Sequence, residues 1–224
     1  MPNQRTRTLT HTLALTLTAL TASQSVATPT ALTFAPLPPQ DVPAAAIELT
    51  QARPLSAPGD EGGGRVVDAK KWTDAQGESL LLLTERKTEK SGASALRLVA
   101  YRLTRPTTSA PWVVAWRARD WLERCEFDLV GGYFLGDVHV TDLNADGVAE
   151  VTFGYDIDCF SSLDPRSMKV LSYEGVQKQA LRGVRAPKAL SGLAIPPREY
   201  VKGAPKALLE LMRGVWERHH LYSE

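Results

Sequence analysis

From Val66 onward the chain alternates short apolar runs with turn residues, and the period of that alternation carries most of the structural information. Runs at 66–72, 79–86, 95–103, 112–117, 136–142, 149–156 and 168–173 are short and bounded by polar or glycine-containing breaks. That rhythm predicts antiparallel strands rather than helical crossovers. Asp74-Ala75-Gln76-Gly77 predicts the hairpin turn joining the first two, because Gly77 permits a positive φ at the bend. After Arg182 the regularity fades through Pro187, Pro196 and Pro197. Pro205 then opens a helix with Leu208, Leu211, Met212, Val215 and Trp216 on one face and mixed charges elsewhere. Charges of both signs on its polar face predict packing on a sheet rather than on a membrane. The pattern specifies a mainly β domain of α+β class with a C-terminal helix, built as an antiparallel sheet, a sandwich or a partial propeller.

The N-terminal part reads differently. Arg5 and Arg7 precede an uncharged stretch at 9–22, followed by Ser25-Val26-Ala27, the layout of a signal peptide at 1–27. The stretch is too short and too polar to span a bilayer, and no Cys follows the cleavage position to carry a lipid. Export of a mature protein without membrane insertion, to the periplasm or the medium, is the expectation. Residues 28–64 are rich in Pro, Ala and Gly and predict a flexible segment with at most a short ordered piece at 45–49; the calcium-loop β domain is expected over 65–224.

Composition adds exclusions. A chain of 224 residues with 43% hydrophobic and 23% charged residues suits one globular domain. Removing the leader takes two basic residues and no acid, moving the net charge from +1 to −1, so charge alone implies no partner. Basic residues are interspersed with acids along the chain, which argues against nucleic acid. The two cysteines, Cys125 and Cys159, predict one disulfide in an oxidising compartment, worth on the order of 3–4 kcal/mol for a loop of about 35 residues; two buried thiols are the alternative.

One motif carries chemistry. Asp142-Leu143-Asn144-Ala145-Asp146-Gly147-Val148-Ala149-Glu150 puts side-chain oxygens at loop positions 1, 3, 5 and 9, glycine at 6, and the Val148 carbonyl at 7. A hard cation such as calcium takes six to eight oxygens at roughly 2.3–2.6 Å, and alternate residues of a tight loop supply them. Phe153 stands at position 12, where an EF-hand needs a bidentate Glu, and the flanks alternate as strands. A metal-free turn rich in Asp and Asn is the plainer alternative. Three clustered carboxylates repel one another, which favours a cation, held with a Kd of about 10⁻⁴–10⁻³ M, as in extracellular modules.

The loop at 142–150 and its following strand resemble the calcium-binding repeat of integrin α-chain propellers and related bacterial surface proteins. The wider stretch, from Cys125 through Val140-Thr141-Asp142-Leu143-Asn144-Ala145-Asp146-Gly147 to Cys159, then 168–175 and Leu181-Arg182-Gly183, is similar to a family of secreted bacterial proteins named loosely for surface polysaccharide biosynthesis. The resemblance implies an exported single-domain protein and brings no catalytic residue with it. With one clear loop and only a degenerate second at 74–77, a closed propeller of many blades is excluded.

Catalytic candidates each have a plainer role. His139 alternates with Val138 and Val140 and reads as a surface residue; His219 and His220 suit a helix C-terminus. Glu123, Glu126 and Asp128 read as a solvated rim beside a disulfide. Ser161 and Ser162 lack the nucleophile-elbow glycines. Trp112, Trp116 and Trp121 suit either a sugar-stacking platform or the core. The expected function is a calcium-stabilised, non-catalytic envelope domain that binds a glycan or an envelope protein; the alternative is an envelope polysaccharide hydrolase using a carboxylate pair.

Overall fold

The computed structural model describes residues 32–51, 64–160, 165–193 and 195–223. The signal peptide at 1–27 and the Ser161-Ser162 pair lie outside the described residues. The first sheet runs in chain order: β1 (Thr33–Pro36), β2 (Arg65–Asp74), β3 (Gly77–Lys90), β4 (Ala93–Arg105) and β5 (Val113–Cys125), each antiparallel to the next. The second sheet holds β6 (Asp128–Tyr133), β7 (His139–Thr141), β8 (Glu150–Phe160), β9 (Arg166–Glu174), β10 (Gln177–Pro187), β11 (Ile195–Tyr200) and β12 (Leu221–Tyr222). Its main path is β11-β10-β9-β8-β6, with β7 on β8 and β12 parallel to β10.

The alternation predicted from sequence assigns the faces. Leu81, Leu83, Leu98 and Ala100 of the first sheet meet Val151, Phe153, Tyr155 and Leu171 of the second, and Trp116 stacks on Tyr173 at 4.1 Å between centroids. Two helices cap the outer faces. Helix α1 (Ala44–Gln51) sets Ala46 and Ile47 on Leu80, Leu82 and Leu103. Helix α2 (Lys206–His219) buries Leu208, Met212, Val215 and Trp216 against Met168, Val170 and Leu181. A Cβ on Gly183 would come within 2.9 Å of the Trp216 ring, so close docking of α2 requires glycine there. The protein is therefore mainly β, a two-sheet sandwich with a helix on each outer face.

Several expectations need correction in detail. Chain within 28–64 contributes β1 to the first sheet and α1 to its outer face, so the folded body reaches upstream of residue 65. The strand expected at 136–142 is a 3₁₀ turn at Leu135–Asp137 followed by the three residues of β7. Past 182, where the regularity fades, β10 continues and Pro196 and Pro197 lie in β11, the outermost strand of the main path, where a missing N–H is tolerated. Cys125 and Cys159 form the expected disulfide, with a Cα–Cα distance of 5.5 Å, joining β5 to β8 across the two sheets. Among the described residues no helix is long and apolar enough to cross a membrane.

Candidate metal centre and its surroundings

The loop at 142–149 connects β7 to β8 and bends through positive φ at Ala145 (58°) and Gly147 (81°). Its polar side chains turn inward onto its own backbone. The Asp142 carboxylate accepts from the N–H groups of Asp146 and Gly147, both at 3.1 Å; Asn144 Oδ1 accepts from Asp146 N–H at 3.2 Å, and Asp146 Oδ1 from Val148 N–H at 2.8 Å. These are the local side-chain-to-backbone bonds that make Asp and Asn favour turns. Glu150 closes the loop. Fully buried at the start of β8, it accepts from Leu143 N–H at 2.9 and 3.2 Å and from the Thr141 hydroxyl at 3.1 Å.

Strand pairing brings in a fifth oxygen-bearing residue that the motif does not contain. Glu174 pairs with Glu150 across β8 and β9, and the Asn144 amide donates to it at 3.2 Å and to Asp146 at 3.1 Å. Burial pushes the Glu150 carboxyl above its ordinary value, and the Asp142 charge adds to the effect. Glu174 is pushed up by burial and by Asp146. Among the described residues, none of Asp142, Asp146, Glu150 and Glu174 has an ion pair with a basic side chain.

The turn at 74–77, read from sequence as a degenerate second loop, is the hairpin between β2 and β3, and it docks on the first loop. Ala75 N–H donates to the Gly147 carbonyl at 2.8 Å, and Asp74 Oδ2 accepts from Ala149 N–H at 3.2 Å. The same oxygen takes the Trp72 indole N–H at 3.0 Å and the buried Arg102 guanidinium at 3.4 Å. Burial pulls Arg102 below its ordinary value, and the Asp74 charge acts against that pull. The loop is thus anchored to the first sheet by a buried polar cluster that leaves its own acids uncompensated.

The donor set of carboxylates, one amide and one carbonyl fits a hard divalent cation in chemistry. As placed, no three His, Cys, Asp or Glu side chains among the described residues stand close enough to share one ion, the oxygens of Asp142 and Asp146 being turned onto loop N–H groups. Holding a cation requires those side chains to swing from the backbone toward one another.

His139 and His219 belong to a separate cluster centred on Asp137, a buried residue ending the 3₁₀ turn, whereas His220 Nδ1 lies 2.9 Å from the Glu217 carbonyl at the end of α2. Arg218 donates to both of its oxygens at 2.7 Å, His139 Nε2 lies 2.6 Å from Oδ1, and His219 Nε2 lies 2.9 Å from Oδ2. Burial works to raise the Asp137 carboxyl, but the Arg218 and His139 hydrogen bonds, the Arg218 charge and His219 outweigh it and hold it at about 2. His219 stacks on Phe134 at 4.0 Å; burial pulls it below its ordinary value against the pull of Asp137.

The tryptophans separate. Trp112 and Trp116 are buried, whereas Trp121 is 53% exposed on β5. Glu123 is ion-paired to Arg97 at 3.1 Å and shares with Glu126 a depression of about 620 Å³ also lined by Arg97 and Arg124; Asp128 is not among its lining residues. Compared with known protein families, curated proteins and solved structures, the chain finds no match in any of the three.

Proposed function

We propose that the chain works outside the cytoplasm as a calcium-stabilised, non-catalytic domain that binds a glycan or an envelope protein, in the setting of surface polysaccharide biosynthesis that its sequence resemblance implies. The calcium part is carried by Glu150, a fully buried carboxylate beside Asp142 whose hydrogen-bond donors are all neutral. A buried, uncompensated carboxylate is costly. Calcium held by Asp142, Asn144, Asp146, Glu150 and the Val148 carbonyl would supply the countercharge, and its chemistry there is structural. The disulfide supports an oxidising compartment, and the exposed Trp121 supports a binding role.

Thermal melts with calcium and with EGTA test this reading. At calcium about 10- to 100-fold above Kd, mass action adds about 1.4–2.7 kcal/mol to the native state, a rise of roughly 5 °C for a chain of this size. Asp146→Ala removes the rise. A wild-type melting temperature indifferent to 10 mM calcium would overturn the calcium part.

A further inference from the structure

The second sheet extends past the first. Strand β5 ends the first sheet, and its Trp116 and Asp120 lie on Tyr173 and Lys169 of β9. Beyond them β10 and β11 keep an open face, with Lys178, Arg182, Arg198 and Tyr200 all exposed, Tyr200 at 54%. This is the side away from α2: Leu181 packs on that helix and Glu199 pairs with its Arg213, while Ala180 belongs to the core between the sheets. Alternate positions of a strand share a face. Lys178 and Arg182 therefore stand with Ala180, and Arg198 and Tyr200 face away from Glu199.

The register sets Lys169 directly opposite Arg182 and Arg182 directly opposite Arg198, a row of three cations across β9, β10 and β11. Like charges directly opposite destabilise a sheet. Lys178 stands on the same face of β10; burial pulls its ammonium below its ordinary value, and the Arg182 and Lys169 charges add to the pull. Asp120, the acid beside them, is engaged by Lys169 and by the Tyr155 hydroxyl. Among the described residues no acid pairs with Lys178, Arg182 or Arg198. What Lys178 and Arg182 do meet is aromatic: the ammonium lies 5.7 Å from the Tyr173 ring centroid and the guanidinium 5.3 Å from that of Tyr200.

We propose that this row binds the phosphate group of a sugar phosphate; the sugar part rests on the glycan-binding part of the function above, and the phosphate part does not. Neighbouring strands lie about 4.8 Å apart, so one tetrahedral oxyanion set between two of them is reached by cations from both sides. A phosphate monoester carries about −1.5 to −2 near neutral pH and three terminal oxygens. That is enough to engage the Arg182 fork and a neighbouring cation together. A single carboxylate brings one charge and two oxygens and leaves the row in excess. Binding removes the repulsion that the register imposes, and the exposed Tyr200 ring beside Arg182 offers an apolar surface to the C–H face of a pyranose.

The test is titration calorimetry and thermal melting of the purified chain with inorganic phosphate, glucose 1-phosphate and acetate, at fixed ionic strength and in EGTA so that calcium does not precipitate the phosphate. At about tenfold its Kd either phosphate should raise the melting temperature by roughly 4 °C, and acetate should leave it unchanged. Arg182→Ala should weaken both phosphates about tenfold. Arg198→Gln should do the same and, without ligand, melt about 2 °C higher, because it relieves the opposed charges. Tyr200→Ala should weaken glucose 1-phosphate about fivefold and spare inorganic phosphate. Arg213→Ala, on the far face of the sheet, should bind both as wild type does, and the melts check that each variant is folded. No response to either phosphate, an equal response to acetate, or wild-type affinity in Arg182→Ala overturns the proposal. Glucose 1-phosphate bound more weakly than inorganic phosphate, with Tyr200→Ala without effect, overturns the sugar part and this use of the glycan reading and keeps the phosphate site.

Discussion

Asp137 and Glu150 flank β7 on either side, and both are buried, at 6% and 0% exposure. One is surrounded by basic groups and held at about 2; the other meets only a backbone N–H and a hydroxyl and is pushed above its ordinary value. Burial alone therefore does not set the direction of a carboxylate's shift here; the neighbours do. The Asp137 cluster is electrostatically self-sufficient and fastens the end of α2 to the second sheet. The loop that Glu150 closes is anchored to the first sheet through Asp74 and Arg102, yet among the described residues no basic side chain pairs with its acids.

The largest way to break this contrast is Asp137→Ala. It strips Arg218, His139 and His219 of one shared acceptor, and because removing one partner of a buried pair is strongly destabilising, urea denaturation should show a loss of about 3 kcal/mol. A loss below about 1 kcal/mol would mean that solvent compensates the cluster and the contrast is false. Next in size is acid. The unfolded Asp137 carboxyl titrates near 4 and the folded one at about 2, so between those values the unfolded chain binds more protons. Its contribution, on the order of 2 kcal/mol, is complete above pH 4 and lost as pH falls through 2. Stability measured against pH should show that slope in wild type and lose it in Asp137→Asn.

Smaller effects sharpen the other side. In EGTA at pH 7, Glu150→Gln removes a buried charge while keeping the shape and should raise stability by about 1 kcal/mol; with calcium it should lose the melting-temperature rise. A stability loss in EGTA would show Glu150 already well compensated. Glu174 faces Glu150 across the strand pair, and like charges directly opposite are mildly destabilising. Glu174→Gln should therefore stabilise the calcium-free protein by about 0.5 kcal/mol and leave the calcium response in place.

Much of the fold was readable from local alternation. The strands around 79–86, 95–103 and 168–173, the Asp74–Gly77 hairpin, the helix after Pro205 and the pairing of the two cysteines stand where the pattern put them. Elements whose formation depends on distant partners escaped. No run was read at 128–133, where Gly131 and Gly132 lie in β6, and the proline-bearing β11 is held by its pairing with β10. The run expected at 112–117 extends as β5 to Cys125, with Ala118 and Leu122 keeping the inward rhythm. The tryptophans show the same limit. A bulge where β4 meets β5 separates Trp112 from Trp116, and odd–even parity places Trp121 on the opposite face from Trp116. The loop acids were legible because they are contiguous. Glu174 was not, since only strand register carries it there.

The disulfide has one more consequence when set beside the Asp74 cluster. Strand β8 is pinned to the first sheet at both extremities: just before its first residue by the Ala149 and Gly147 hydrogen bonds, and near its last by a covalent sulfur bridge. Only the second pin responds to thiols. Under reduction the sandwich would loosen at the Cys125 margin, where Arg124 lies, while the acidic loop kept its mooring; on the calcium reading proposed above, the two ends of β8 would then answer to different chemical signals in their surroundings, one to redox poise and the other to dissolved cation.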